Sequence, residues 1–348
     1  MRTIDTLRKY HTWYRKIWKY HYKIDVGLNG RMPFYDKIKY NALGFTVEDY
    51  FNLNLKENDY HKYISFQERW RLEKINGCYG DVLGQKLLFE RLFGSVVNVP
   101  HIYCWSRKGK FFDIYNGSAV RIAEIVQGAK TIIAKPSRSA GGGTGVHKIE
   151  YKDKGYWIDG KHLTEEAFFD QVSAYDDYIF TQYIEPGAYS KEIFSETANS
   201  IRVVTVINDN EEAELLFAYH RFGCSESVPV DNTSSGGLFC LVDLETGMLG
   251  KAKRITEPGN TFTHHPDTGK KIEGVEVPGW DKITAQLKHA HEVFRFFAFF
   301  AWDVVVTDDG FWILEINRAS DMHFQSIQAM RDEPLGKYMR AHHLLDKR

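Results

Sequence analysis

The chain has 348 residues, 43% of them hydrophobic and 26% charged, enough to build two or three packed lobes around a sizeable core. A net charge of −1 argues against nucleic acid as a partner. Four scattered cysteines (Cys78, Cys104, Cys224, Cys240) without a CxxC pair argue against a zinc site or disulfide framework and read as reduced thiols of a cytoplasmic protein.

Residues 1–75 read as a helical preface. Tyr10, Trp13, Tyr14, Ile17 and Trp18 recur at helical spacing among basic residues. A helix packed on its own protein is the expected outcome there, and peripheral contact with a membrane surface is the alternative. Gly27–Gly30 and Pro33 interrupt the pattern. Thr46–Tyr50 then resembles a capped helix start, and Ser65–Glu68 a capping box opening a helix to about Ile75. Asp81 to Phe93 reads as an amphipathic helix carrying Lys86, on its own an ordinary surface lysine. Val96–Val99 reads as a short strand, and Phe111 to Val126 as a strand and a helix.

The most informative stretch runs from Ile132 to Val146. The apolar run Ile132-Ile133-Ala134 reads as a buried strand that ends at Lys135-Pro136, because proline cannot donate to the ladder. Ser137, Ser139 and Gly141, Gly142, Gly143 and Gly145 follow. Glycines reach positive φ, so successive N–H groups can converge on an anion, with the Lys135 charge at the loop's base. The plainer alternative is a flexible surface turn. A Walker A loop is ruled out, since its lysine follows the glycines instead of preceding them.

Tyr178–Ile184 is an apolar strand running into the turn Glu185-Pro186-Gly187. Its end either contacts a planar base or is an ordinary buried strand end. The strands Ser200–Ile207 and Leu215–Phe222 carry Arg202 and Arg221, each by itself a snorkelling edge residue, together a pair suited to an anion. The polar stretch Val230–Gly237 is a binding loop or a surface connection, and a strand follows from Leu238 to Leu244. Residues 250–280 read as a long hairpin or insertion, and Asp281 to Phe300 as a helix. No run approaches a membrane span; Phe294–Trp302 is apolar but too short.

Near the end, two apolar strands flank Asp308-Asp309-Gly310. A three-residue loop with Gly310 left-handed pairs Thr307 with Phe311 and sets Asp303 opposite Glu315. Asn317 shares Glu315's face. A two-residue loop puts the two carboxylates on opposite faces. Opposed carboxylates repel unless a cation lies between them, and oxygen ligands of this kind suit Mg²⁺.

Taken together, Lys86, the Lys135-Pro136-Ser137-Arg138 loop, the Gln182-Tyr183-Ile184-Glu185 strand end and Asp303…Glu315-x-Asn317 resemble the ATP-grasp superfamily over about residues 45–330. The lysine loop is similar to its equivalent in D-alanine–D-alanine ligases. Asn199–Thr205 and Val230–Gly237 look more like the sugar-transfer-associated ATP-grasp subgroup. The resemblance implies an α+β fold with ATP between two lobes. Its parts are residues 1–75 (helical), 76–130 (a linking region with the first ATP lysine), 131–190 (the central lobe with the glycine loop) and 191–348 (the C-terminal lobe with the metal site). It further implies that Lys86, Lys135 and the loop residues Ser137, Ser139, Gly141, Gly142 and Gly143 hold phosphates. Gln182, Tyr183 and Ile184 would contact adenine, and Glu185 or Glu192 the ribose. Asp303, Glu315 and Asn317 would hold one or two Mg²⁺, or Mn²⁺. Those ligases carry an arginine two positions before the first metal aspartate, where this chain has Ala301; Arg202, Arg221 and Arg318 are the candidates to replace it. The implied activity is ligation of a carboxylate to an amine through an acyl phosphate, on sugar-linked or cell-surface glycan precursors. The alternatives are a kinase acting on a hydroxyl and a nucleotide-binding scaffold.

Overall fold

A computed structural model describes residues 32–138, 143–257 and 259–347. The chain divides into two units, residues 1–72 with 328–348 and residues 73–327. The basic-aromatic stretch 10–22 lies outside the described residues. No helix among the described residues is long and apolar enough to cross a membrane, and all four cysteines are free.

The first unit contains the helices Phe34–Ala42, Val47–Asn52, Phe66–Leu72 and Pro334–Ala341. Thr46 and Asp49 cap reciprocally, each side chain accepting from the other's backbone N–H at 3.0 and 2.8 Å. Around that cap pack Tyr40, Phe45, Val47, Tyr50 and Leu55. Glu68 accepts from the Ser65 backbone at 2.8 Å, as its spacing implies, and also pairs with Arg331 at 2.8 Å. The pair is buried, so removing either partner would strand a charge. The helix it opens ends at Leu72, short of Ile75.

The second unit holds two antiparallel sheets. The first is built from β1 (Ile102–Arg107), β2 (Lys110–Phe112), β3 (Thr131–Pro136), β4 (His147–Lys152), β5 (Gly155–Ile158), β6 (Lys161–Leu163) and β7 (Tyr178–Gln182). Their order is β2-β1-β7-β3-β4-β5-β6. Ile132, Ala134, Ile149 and Phe180 meet Val126 and Phe168 of the helices Ile122–Ala129 and Glu165–Ser173 in its core. The second sheet comprises β8 (Ile201–Ile207), β9 (Ala213–Phe222), β10 (Leu238–Val242), β11 (Leu249–Arg254), β12 (Phe299–Thr307) and β13 (Gly310–Asn317), in the order β11-β10-β9-β8-β12-β13. β8 is buried along its whole length and β12 along all but its last residue, which explains their near-continuous apolar sequence.

Three expectations are corrected. The helix expected over Asp81–Phe93 is two, Gly80–Leu83 and Lys86–Phe93, because Gln85 is extended and bridges to Arg138. Val96–Val99 is not a strand; Asn98 instead offers its carbonyl to the Ile313 N–H beside β13. The helix expected to reach Phe300 runs Trp280–Val293, and Phe299 already opens β12, where its apolar run is buried between strands.

Two buried histidines brace the second sheet in neutral form. The Arg221 carbonyl can only accept, so His220 Nδ1 donates to it (2.9 Å) and Nε2 accepts from the Tyr189 hydroxyl (2.8 Å). By the same logic His291 Nε2 donates to the Phe297 carbonyl, and Nδ1 accepts from Thr205, which in turn accepts from the Trp302 indole. Burial foremost lowers His220 to about 3 and His291 to about 4. With native values below the unfolded value of ~6.5, their stabilisation is complete above that pH and is lost as pH falls towards the native values. Each histidine is therefore expected to remove about 1.4 kcal/mol per pH unit between pH 6 and 5. Urea unfolding at both pH values checks this: His291→Asn should lower stability overall but flatten the slope.

Candidate functional site

The site forms where β8, β12 and β13 lie side by side. Arg202, Asp303 and Glu315 are cross-strand partners in one row. The hairpin reaches this register by an unexpected route. Its loop is the two-residue kind, Thr307 pairing with Gly310, and Gly310 adopts φ 151°. That register alone would turn Glu315 to the opposite face from Asp303. A bulge corrects it: Val304 pairs with Ile313 and Asp303 with Glu315, leaving Leu314 as the extra residue. The expected opposition therefore holds, although the expected turn does not.

Asp303 is the hub. Its Oδ1 accepts from Arg202 Nε at 2.5 Å and lies 2.9 Å from Arg221 Nη2, while Oδ2 accepts from Arg202 Nη2 at 3.1 Å and from Asn317 Nδ2 at 3.3 Å. Burial alone would raise its carboxyl; Arg202 and Arg221 outweigh that and hold it well below the usual carboxylate range. The Asn317 amide also donates to Glu315 Oε1 at 3.1 Å, so an N–H₂ group sits between the two carboxylates. Half a turn of that amide replaces the donor by its oxygen, presenting three oxygens together. This hard donor set fits Mg²⁺.

Two lysines face the acids. Lys86, the first residue of its helix, lies 3.7 Å from Glu315 Oε2 and is anchored by its N–H to the Ser137 carbonyl. Lys135, the last residue of β3 before Pro136, lies opposite Ile179 of β7. Withdrawal from water lowers its ammonium to about 8, helped by Lys86 and opposed by Glu315 and Asp303. Of the glycine loop, Ser139, Gly141 and Gly142 lie outside the described residues. Gly143 has φ 69°, and a Cβ there would lie 2.9 Å from Val230.

The neighbouring Asp231 is a connection that sequence reasoning did not single out. Its Oδ2 accepts from the Ser200 N–H and hydroxyl at 2.5 Å each, and Ser200 Oγ accepts from Arg221 Nη2 at 2.5 Å. Val230 and Asp231 thus tie the glycine loop to the arginine pair. The sequence signal was the polar, glycine-ended stretch they occupy, which also carries part of the subgroup resemblance.

The profile of the sugar-transfer associated ATP-grasp family matches residues 66–333. The chain belongs to that family. Its two antiparallel sheets with flanking helices are an α+β ATP-grasp fold. No curated protein matches the chain. Similar solved structures include the ATP-grasp ligase PsnB complexed with minimal precursor, Mg and ADP (14% identity, TM-score 0.40). That match covers 77% of this chain and 61% of PsnB, so the chain spans about three fifths of PsnB's length. The D-alanine–D-alanine ligase of Bacillus anthracis complexed with ATP is similar at 12% identity and TM-score 0.34, over 76% of this chain and 61% of that one. Likeness at this level bears on neither substrate nor reaction.

The other residues that the ATP-grasp resemblance picked out are dispersed. Ser137 is buried, its hydroxyl donating to Asp177 Oδ1 at 2.7 Å, where the Trp105 indole also donates. Gln182 donates its N–H to the His101 carbonyl, and Ile184 is buried. The Tyr183 ring lies under Lys148, with its phenol raised to about 12 by burial and Glu185. Exposed Glu185 pairs with Lys191 at 2.7 Å and exposed Glu192 with Lys270 at 3.3 Å. Arg318 turns to Asp81 at 3.1 Å, whereas Arg202 and Arg221 converge on Asp303.

Asp308, at the hairpin tip, accepts from the Ala188 N–H at 2.7 Å and so caps the helix Ala188–Ile193 from another element. Asp308→Ala is expected to cost about 1–2 kcal/mol of stability and to leave turnover within about threefold of wild type. Melting and steady-state rates check this; a loss of activity as deep as that of a metal-site variant would make the tip part of the site.

Proposed function

We propose that the chain is an ATP- and Mg²⁺-dependent carboxylate–amine ligase. The γ-phosphoryl group passes to a substrate carboxylate oxygen, giving an acyl phosphate and ADP. The amine nitrogen then attacks the carbonyl carbon, phosphate leaves, and the nitrogen loses a proton, so an amide forms. The carrying observation is the opposition of an acidic cluster (Asp303, Glu315) to two lysines (Lys86, Lys135), with Arg202 and Arg221 held behind it. Phosphoryl transfer calls for this: positioned positive charge, carboxylates for a divalent cation and no covalent nucleophile.

In this reading Lys86 and Lys135 bind phosphate oxygens, and the segment from Gln182, the last residue of β7, to Ile184 holds the base. Asp303, Glu315 and Asn317 hold Mg²⁺, which when bound neutralises phosphate charge. Arg202 and Arg221 keep Asp303 ionised and oriented. The family's association with sugar transfer favours a sugar-linked substrate.

The test begins with thermal-shift titrations of ATP and Mg²⁺, separately and together. A ligand that binds only the native state raises the melting temperature by mass action. ADP release is then screened over carboxylates with and without amines. Release that needs both substrates, with an amide product, supports the ligase. Release with a stable phosphorylated hydroxyl and no amine would make it a kinase, and a nucleotide shift without turnover of any substrate would leave a nucleotide-binding scaffold.

A further inference from the structure

We propose that Asp177, which no sequence motif marks, is the positioning residue that holds Lys86 and Lys135 at their working separation. It acts through Ser137, and the role rests on the nucleotide-binding reading above.

The two lysines come from separate elements, Lys135 from β3 and Lys86 from the first turn of its helix. Ser137 joins them. It stands two positions beyond Lys135, and its carbonyl accepts the Lys86 N–H at 3.0 Å, beside the bridge between Gln85 and Arg138. Asp177 in turn holds Ser137 at two points. The Ser137 N–H donates to the Asp177 carbonyl at 2.8 Å, and the Ser137 hydroxyl donates to Asp177 Oδ1 at 2.7 Å. All three polar groups of this buried serine are therefore engaged. A hydroxyl has one proton to donate, and here it goes to Asp177.

Asp177 is itself anchored from β1. Its N–H donates to the Ser106 carbonyl at 3.0 Å, and its Oδ1 also accepts from the Trp105 indole at 2.9 Å. With φ 57° its backbone is left-handed, a conformation that aspartate and asparagine tolerate better than most side chains. That turn brings the carbonyl and the carboxylate of one residue onto one serine. Burial alone would raise the carboxyl; the bonds from Ser137 and Trp105, with Arg138 and Arg107 nearby, outweigh it and keep the group ionised as an acceptor. Two ammonium groups repel, so their spacing depends on the backbone that carries them. Phosphate binding and transfer depend on that spacing, where a misplacement of about 1 Å costs on the order of 10²-fold.

The test is calorimetric titration of the full chain with ATP and Mg²⁺, well below its melting temperature. The proteins compared are the parent, Asp177→Gly, Ser137→Ala, the double variant and Asp177→Asn. Glycine keeps the left-handed turn and removes the carboxylate, whereas asparagine keeps both the turn and an acceptor oxygen. Asp177→Gly and Ser137→Ala are each expected to weaken binding by about tenfold or more, and the double variant no further than either alone. Asp177→Asn is expected to return to within about threefold of the parent. A merely structural role would lower the melting temperature without this pattern in affinity. If Asp177→Gly does not fold, Asp177→Ala takes its place in the cycle. Four results overturn the proposal. They are parental affinity in either single variant, losses that add in the double variant and so put Ser137 on phosphate directly, no recovery in Asp177→Asn, and no binding by the parent. The last would overturn the nucleotide reading as well; the other three would leave it standing.

Discussion

Asp303→Ala is expected to lower stability by about 3–5 kcal/mol and to abolish turnover. The carboxylate is the shared partner of Arg202 and Arg221, and the Arg202 and Asp303 side chains are only 7 and 6% exposed. Alanine would leave two guanidiniums facing each other with little water to screen them. A carboxyl held below its ordinary value stabilises fully above the unfolded value of ~3.9 and progressively less as pH falls below it towards the native value. The gap between wild type and Asp303→Ala should therefore be full at neutral pH and narrow below about pH 4. Urea unfolding of both proteins across that range measures it. A gap under 1 kcal/mol at pH 7 would mean that the arginines find other partners. Replacing Arg202, Arg221 and Asp303 together with apolar residues should recover part of the stability and none of the activity.

Turnover should also fall by about 10² or more in Glu315→Ala and in Lys135→Met, but with a different stability signature. The Glu315 side chain is 30% exposed and its contact with Lys86 is 3.7 Å, so its loss should change stability by less than about 1 kcal/mol. Lys135 should go further. Its ammonium is lowered to about 8, burial being the largest cause, so the native state disfavours the charged form. A native value below the unfolded ~10.4 means that this cost is present at pH 7 and is relieved as pH rises from about 8 towards 10. Methionine removes the charge, so Lys135→Met is expected to melt at or above the wild-type temperature while losing the shift produced by ATP with Mg²⁺. Such opposition of stability and activity marks a residue kept for function. Wild-type nucleotide shifts in either variant would remove these residues from the site, and a marked fall in the melting temperature of Lys135→Met would make that lysine structural.

Much of the molecule was legible along the chain because it depends on near neighbours. The β3 strand ending at Pro136, the reciprocal cap at Thr46 and Asp49, and the apolar strand that follows Asp303 each follow from a handful of adjacent residues. Where neighbours were not enough, the reading slipped. Asp81–Phe93 has one helical period throughout, yet Gln85 leaves the helix to bridge Arg138. Phe294–Phe300 is as apolar as a buried helix, and a short apolar run does not distinguish helix from central strand.

The hairpin shows where the division lies. By itself the sequence determined that two apolar strands meet at Asp308-Asp309-Gly310 and that Glu315 and Asn317 share a face, because alternation and turn residues are local properties. Tertiary structure decided that the loop has two residues and that Leu314 bulges, since register answers to the buried faces on both sides of the pair. It also decided that Arg202 and Arg221, about a hundred and about eighty positions before Asp303, close on that one carboxylate, and that Asp231 reaches them through Ser200. Such pairings arise because a buried charge must find its counter-charge wherever the fold brings one within reach, and no spacing along the chain encodes that.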